Sequence, residues 1–451
     1  MSNIFGRRAV VIGAGFSGLP AAAVLAKYFE QVVIVERDRF EDHPISRPGT
    51  PHDRHPHLLL AGGLTALDEI CPGYSNDLSD AGAVPVELWQ DVHFERADVG
   101  VLPKRDFGTS VLLASRPLFE FVLRRKVLTI GNIEVRTQCR VTSVLSFNGT
   151  VRGVRLETDA RAVETLDADL VVDASGRARP ILELLDELDY ERPSVTEVGP
   201  DITYSTAVVK ISPHLMPDDA KIVRTFPDLP ASNLNAAVGS IEGGKWLAFI
   251  ATPIDVPRPS TWAAYLDTLR QLITPTLFNI LRQIEPPKVI EHFGFPTSVW
   301  RHFEKMPRLP RGIIPIGDSI CRFNPTHGQG MSVAAQEARL LQDVLASAAT
   351  EPDPLGGAQA EFMARLEPIL RTPWDMSTNV DLAYPKTRGQ RPDNFEDMLK
   401  FDAALFRAVV ADPVVQRAVA DVAQLLQPGS ILQEPDIKQR IEAATSARAV
   451  A

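Results

Sequence analysis

The chain has 451 residues, of which 45% are hydrophobic and 23% charged, and its net charge is −10. That is the balance of a folded protein of about two to three domains. It excludes nucleic acid as a partner, because no basic run is present to meet phosphates, and it excludes a membrane span, because the longest apolar run, Leu19–Ala26, is too short.

Ala9-Val-Val-Ile12 reads as a buried strand, and Gly13, Gly15, Ser17 and Gly18 form the turn behind it. Gly13 permits a tight turn, Gly15 lets the backbone approach a pyrophosphate, and Gly18 lets the next helix pack close to the strand. The start of that helix offers free N–H groups to phosphates. Val32-Val-Ile-Val35 is a second strand and delivers Glu36, eighteen residues after Gly18, where a carboxylate can accept from a ribose hydroxyl. Strand, glycines, helix, strand and acid in register predict a dinucleotide-binding unit over roughly residues 7–37.

An irregular segment rich in Arg, His and Pro follows from Asp38 to Pro56. A helix is expected from His57 to Ile70 and another from Arg116 to Leu128, the latter with its arginines outward. Ile133–Arg136, Arg140–Val144, Gly153–Thr158 and Ala168–Asp173 read as strands. From Thr203 the pattern alternates through Ile211, again over Ala236–Ile241, and after the turn Glu242-Gly-Gly over Lys245–Ile250. This predicts an inserted antiparallel sheet. A helix from Ser260 to about Ile284 should break at Pro275. Gly312–Asp318 returns to the first domain, and Glu351–Gly357 reads as a linker to a helical tail. The expected fold is therefore α/β: a Rossmann-like nucleotide domain (1–75, 105–190, 291–349), an inserted antiparallel substrate domain (76–104, 191–290) and a helical C-terminal region (350–451).

Gly317-Asp318 ends a strand, and Phe323-Asn-Pro325-Thr-His327-Gly328-Gln-Gly330-Met331 opens another helix. A helix start at a ligand edge can stabilise negative charge, and a reduced flavin carries charge near N1. Two cofactor loops in one chain therefore point to FAD.

Together the glycine fingerprint with Glu36, the Arg116-Pro-Leu-Phe-Glu helix start and the Gly317-Asp318…Gly328-Gln-Gly330 loop resemble the FAD-dependent monooxygenases of the p-hydroxybenzoate hydroxylase fold, over about residues 7–345. Arg54-His-Pro-His-Leu-Leu-Leu-Ala-Gly-Gly, Asp169-Leu-Val-Val-Asp-Ala-Ser-Gly176 and Phe323–Met331 are most similar to the actinobacterial polyether-type epoxidases, which act on polyene double bonds. The resemblance implies that Gly13, Gly15, Ser17 and Gly18 hold the pyrophosphate and that Glu36 binds the ribose, with Arg37 beside the adenine. It implies that Arg116 reaches the phosphates or ribityl chain, that Val141 contacts adenine through its backbone, and that Asp318 binds the ribityl hydroxyls or the pyrophosphate. Pro325, Gly328, Gly330 and Met331 would line the isoalloxazine. The implied reaction transfers one oxygen of O2 through a flavin C4a-hydroperoxide to an apolar, polyketide-like or aromatic small molecule. Where aromatic hydroxylases of this fold carry Gly-Ala-Asp-Gly, this chain has Asp173-Ala-Ser-Gly176. A separate flavin reductase is therefore the alternative to NADPH as direct electron source.

Other residues admit two readings. His52, His55 and His57 crowd one loop but have no metal-ligand spacing. Arg47, Arg54 and His57 would instead contact the cofactor or orient the loop. His327 either meets substrate or flavin or serves turn geometry. Trp246, Phe249, Phe293, Phe295, Trp300 and Phe323 either line an apolar pocket or fill the core. No Gly-x-Ser-x-Gly elbow or Trp-x-Trp-x-Ile-Pro motif occurs, so hydrolase and halogenase chemistry lack their signatures. A reductase of the geranylgeranyl-reductase type and a non-catalytic carrier are the remaining alternatives. Cys71, Cys139 and Cys321 are odd in number and far apart, and the first strand leaves no room for a signal peptide. Both features predict a cytoplasmic protein.

Overall fold

A computed structural model describes residues 4–448. Its first layer is a five-stranded parallel sheet in the order Ile313–Pro315, Leu170–Asp173, Gly6–Ile12, Phe29–Val35, Ile133–Arg136. These strands are near-continuous apolar runs because helices cover both faces of a parallel sheet. Every residue of helix Gly18–Leu25 is buried. It lies against strand Gly6–Ile12 and against helix Gly330–Ala348.

The second layer is a seven-stranded sheet: Glu291–Phe295, Ile202–Val209, Lys245–Pro253, Asn235–Ile241, Ile222–Thr225, Val92–Arg96, Gly100–Val101. It is antiparallel except where Ile222–Thr225 runs parallel to Val92–Arg96. Period-2 alternation sends its residues to two different surroundings. Trp246, Ala248 and Ile250 pack under helices Trp262–Leu269 and Thr276–Leu281 with Tyr265 and Leu269. Tyr204, Ala237, Phe249, Ala251 and Phe295 form a cluster on the other face.

Two expected boundaries and one expected helix face shift for local reasons. The helix expected from His57 starts at Ala61, because the Leu60 and Ala61 N–H groups donate to Ser332 Oγ (2.9 Å) and Gln424 Oε1 (3.1 Å). The Ser260–Ile284 segment breaks at Pro275 as expected, into the helices Trp262–Leu269 and Thr276–Leu281, the second capped by Pro275. The linker shrinks because a thirty-residue helix, Pro354–Ala383, begins inside it, with Asp353 capping the Gly356 N–H at 3.2 Å. The arginines of helix Arg116–Val127 are not all outward: Arg116 and Arg124 are buried. The tail is helical and packed. Phe362, Leu366 and Trp374 join the core of the first layer, and Leu405, Val409 and Val415 pack on Val86, Val92 and Val111. Among the described residues no helix is long and apolar enough to cross a membrane.

Candidate functional site

The two glycine-rich loops touch. A Cβ on Gly317, whose φ is +68°, would lie 2.7 Å from Ser17 Oγ. Gly13 has φ +100°, and a Cβ there would meet Ala174 O at 2.8 Å, so both positions need glycine. A Cβ on Gly18 would reach the Gly13 carbonyl, which is how the helix comes so close to the strand. At Gly15 and Gly330, by contrast, an added Cβ would meet nothing within 4 Å. These open backbone stretches lie one beside each helix start, and they fit an extended anionic group such as a dinucleotide pyrophosphate. Gly328 closes the turn Pro325–His327 against Leu58, and Met331 is buried in the first turn of helix Gly330–Ala348.

Glu36 is buried at the end of its strand. Its carboxylate accepts the Ala14 N–H (2.8 Å) and the Asp38 N–H (2.9 Å), tying the glycine loop to the strand behind it. Beside it lies an ion cluster. Arg47 Nη1 meets Asp38 Oδ2 at 2.8 Å and stands 3.5 Å from Glu36 Oε1. Glu120 stands between two arginines: Oε1 is 2.5 Å from Arg47 Nη2, and Oε2 is 2.9 Å from Arg116 Nη2. Burial pushes Glu120 up, but Arg116 and Arg47 outweigh it and hold the carboxyl below its usual range. The Arg116 guanidinium stacks 5.0 Å over the Phe16 ring, one residue from Gly15. Arg37 is exposed and donates to Gly49 O at 3.4 Å. Half-buried Val141 follows Cys139, whose N–H donates to Glu36 O at 2.9 Å, so that strand edge runs past the acid.

Asp318 follows Gly317, where the two loops meet. Burial lifts its carboxyl to about 6 against the pull of Arg322, Arg301 and Arg116. Beneath it, fully buried Glu337 accepts the Gly317 N–H, and burial pushes this carboxyl up to about 8. Asp173 accepts the Ser175 N–H (3.0 Å), the Ile181 N–H (3.2 Å) and the Ser319 hydroxyl (3.3 Å). It therefore braces the strand end, the next helix and the Gly-Asp loop.

The Asn324–His327 turn is held by residues that the sequence pattern does not single out. Tyr204 OH donates to Asn324 Oδ1 (2.8 Å) and lies 2.6 Å from Thr326 Oγ1. Asn324 Nδ2 donates to both oxygens of Asp381, at 2.8 and 3.0 Å. Half-buried His327 lies with Nε2 at 3.4 Å from Asp381 Oδ1. Asp381 belongs to the long C-terminal helix, 57 residues downstream of Asn324, and only the alternating pattern around Tyr204 hinted at an inward residue there.

Phe249, Phe293 and Phe295 gather with Tyr204 on the sheet face nearest this turn. Trp246 does not join them. It is on the opposite face, in the core under the two short helices, because it is three residues from Phe249 on an alternating strand. Trp300 is likewise core, edge-on to Trp374 at 5.6 Å. The histidine loop packs on the same aromatic group: His55 Nδ1 is 2.7 Å from Thr206 Oγ1, and the His52 and His55 rings lie about 6 Å from Phe293. Burial pulls both histidines down to about 4. Next to this loop a cavity of about 650 Å³ opens, lined by Ile45, Asp53, Pro117, Val208, Leu247 and Val289 among others. Arg54 at its edge pairs with Glu291 at 2.8 Å.

The FAD binding domain family matches residues 7–212. Protein Rv3254 of Mycobacterium tuberculosis is 32% identical over 348 residues, which is 75% of this chain and 72% of that protein. Squalene epoxidase 2, mitochondrial, of Arabidopsis thaliana is 25% identical over 356 residues, 75% of this chain and 54% of the plant protein. Among solved structures, p-nitrophenol 4-monooxygenase PnpA from Pseudomonas putida DLL-E4 shares the fold with a TM-score of 0.67 at 16% identity, over 94% of this chain and 99% of that one. Two touching glycine loops at the edge of a parallel sheet, a buried acid behind the first and a facing apolar sheet agree with these matches: the chain carries the FAD binding domain and belongs to one family with Protein Rv3254.

Proposed function

We propose that this chain inserts one oxygen atom of O2 into an apolar, polyketide-like or aromatic small molecule, by epoxidation or hydroxylation, in the cleft between the glycine loops and the seven-stranded sheet. The observation that carries this reading is the juxtaposition of the Asn324–His327 turn with Tyr204 and the Phe249, Phe293 and Phe295 face. A flavin laid along the turn would thereby meet an apolar wall that excludes water. The likeness to a squalene epoxidase supports an alkene substrate.

When bound and reduced, FAD supplies the electrons that activate O2. The chain's own residues bind and orient it. Gly13, Gly15, Ser17 and Gly18 would take the pyrophosphate, with Arg116 and Arg47 facing its charge from the Glu120 clamp. Glu36 retains lone pairs beyond the two N–H groups it accepts, and these would take ribose hydroxyls. Asp318 would hold the ribityl chain, Val141 the adenine edge, with Arg37 outside it. Pro325, Gly328, Gly330 and Met331 would border the ring, and Phe249, Phe295 and His327 the substrate. NADPH, or a separate flavin reductase, would deliver the electrons, in the cytoplasm.

Adding FAD to the purified protein tests the core of this. Tight binding with a flavin absorbance is expected, and Gly15→Val should abolish it by blocking the open backbone. Glu36→Gln should weaken binding by about 1–3 kcal/mol, the size of a lost charged hydrogen bond. Normal FAD affinity in Gly15→Val would refute the assigned pyrophosphate site. Bleaching of the flavin by NADPH alone, against bleaching only with an added reductase, decides the electron source.

A further inference from the structure

We propose that Arg224 anchors a subsite for an anionic oxygen of the substrate, a carboxylate or an acidic phenol or enol. The proposal rests on the cleft reading above and adds the chemical class of the molecule that enters it. Arg224 is on strand Ile222–Thr225, opposite Ala237 on one side and Phe94 on the other. Its neighbour Val223 joins the core under the two short helices, and Ala237 joins the Tyr204–Phe249 cluster. Alternation therefore puts Arg224 on the cleft face.

What surrounds the guanidinium is unusual for a half-buried cation. It stacks 4.5 Å over the Phe226 ring, and Nη2 makes one long contact, 3.4 Å, to the carbonyl of Thr326, the residue after Pro325. Nε is shut off from solvent and meets no acceptor. Among the described residues no carboxylate forms an ion pair with it, whereas Arg47, Arg116 and Arg124 all share Glu120. Burial pulls the guanidinium down to about 10, with only Tyr204 acting the other way. A guanidinium that is half-buried, with its Nε shut off from solvent and no counter-ion, is costly and is normally paired. Here the missing partner fits a ligand oxygen arriving beside the Pro325–His327 turn. The aromatic rings of Phe94, Phe226 and Phe249 supply the apolar remainder of such a subsite.

Benzoate and its neutral counterpart benzamide test this by calorimetry on the FAD-loaded protein. Benzoate should bind more tightly than benzamide. Arg224→Met should weaken benzoate by at least about tenfold, the size of one lost charged hydrogen bond, while benzamide and FAD affinities stay within about twofold on the same scale. Arg224→Lys should recover part of the benzoate affinity, which separates lost charge from lost folding. The proposal is overturned if the wild-type protein does not prefer benzoate, or if Arg224→Met leaves benzoate binding unchanged. It is also overturned if Arg224→Met instead weakens FAD, since the guanidinium would then serve the flavin's own anionic edge. The same titration on FAD-free protein reads the subsite independently, so a failure of the flavin assignment and a failure of this one are distinguishable.

Discussion

Asp381 grips Asn324 with both carboxylate oxygens, at 2.8 and 3.0 Å, and so fastens the C-terminal helix Pro354–Ala383 to the turn on which a flavin ring would rest. The helix that the sequence sets apart as a tail is thus part of the site. Asp381→Ala leaves the buried Asn324 amide without its acceptor, which costs about 1–3 kcal/mol. Thermal unfolding should fall accordingly, and amide exchange over residues 324–330 should speed up. Exchange there at the wild-type rate would show that the contact does not hold the turn.

Glu120 should behave as the keystone of the arginine pair. Removing its carboxylate leaves Arg47 and Arg116 buried with their shared counter-ion gone, a loss of about 3–5 kcal/mol for a broken buried pair. Denaturant titration of Glu120→Ala should show that loss, and its FAD dissociation constant should rise because Arg116 loses its ion pair while Arg47 keeps only Asp38 and Glu36. Glu120→Gln should lie between the two. A stability within about 1 kcal/mol of wild type would mean that other partners hold the arginines.

Glu337 should give the protein a characteristic pH dependence. Its folded-state carboxyl is raised to about 8 from an ordinary 4.5. Its contribution is therefore fully present below pH 4.5 and is lost as the pH rises towards 8, because the unfolded chain ionises first. Each pH unit across that window is worth about 1.4 kcal/mol, so by neutral pH the loss is on the order of 3 kcal/mol. Glu337→Gln cannot ionise. Its stability relative to wild type should climb steadily from pH 4.5 to 8, read by denaturant titration at each pH. A constant difference across that range would show that Glu337 is not held protonated.

The nucleotide-binding half was legible because its constraints are local. Gly13, Gly18 and Gly317 are demanded by close backbone approaches, and the apolar runs at Ala9–Ile12 and Val32–Val35 have one plausible use. The partners that fasten the site were not legible, because they depend on which distant segments meet. Nothing near Asp381 or Glu120 in sequence announces Asn324 or Arg47. Two of the expected outward arginines of helix Arg116–Val127, Arg116 and Arg124, turn inward because a single buried acid, Glu120, gathers them, while Arg125 stays outside. Trp246 was a fair pocket candidate by residue type, but alternation along Lys245–Pro253 sends it to the far face. Register relative to Phe249 decides that, and composition does not.

The central claim is oxygen insertion, and isotope labelling tests it most directly. The FAD-loaded protein, reduced and supplied with ¹⁸O₂ and a panel of alkenes and aromatic acids, should yield a product that carries one labelled oxygen atom, and no product without O2. Product formed at full rate under strict anaerobiosis, or bearing oxygen from water, would contradict the monooxygenase account and favour a flavin reductase.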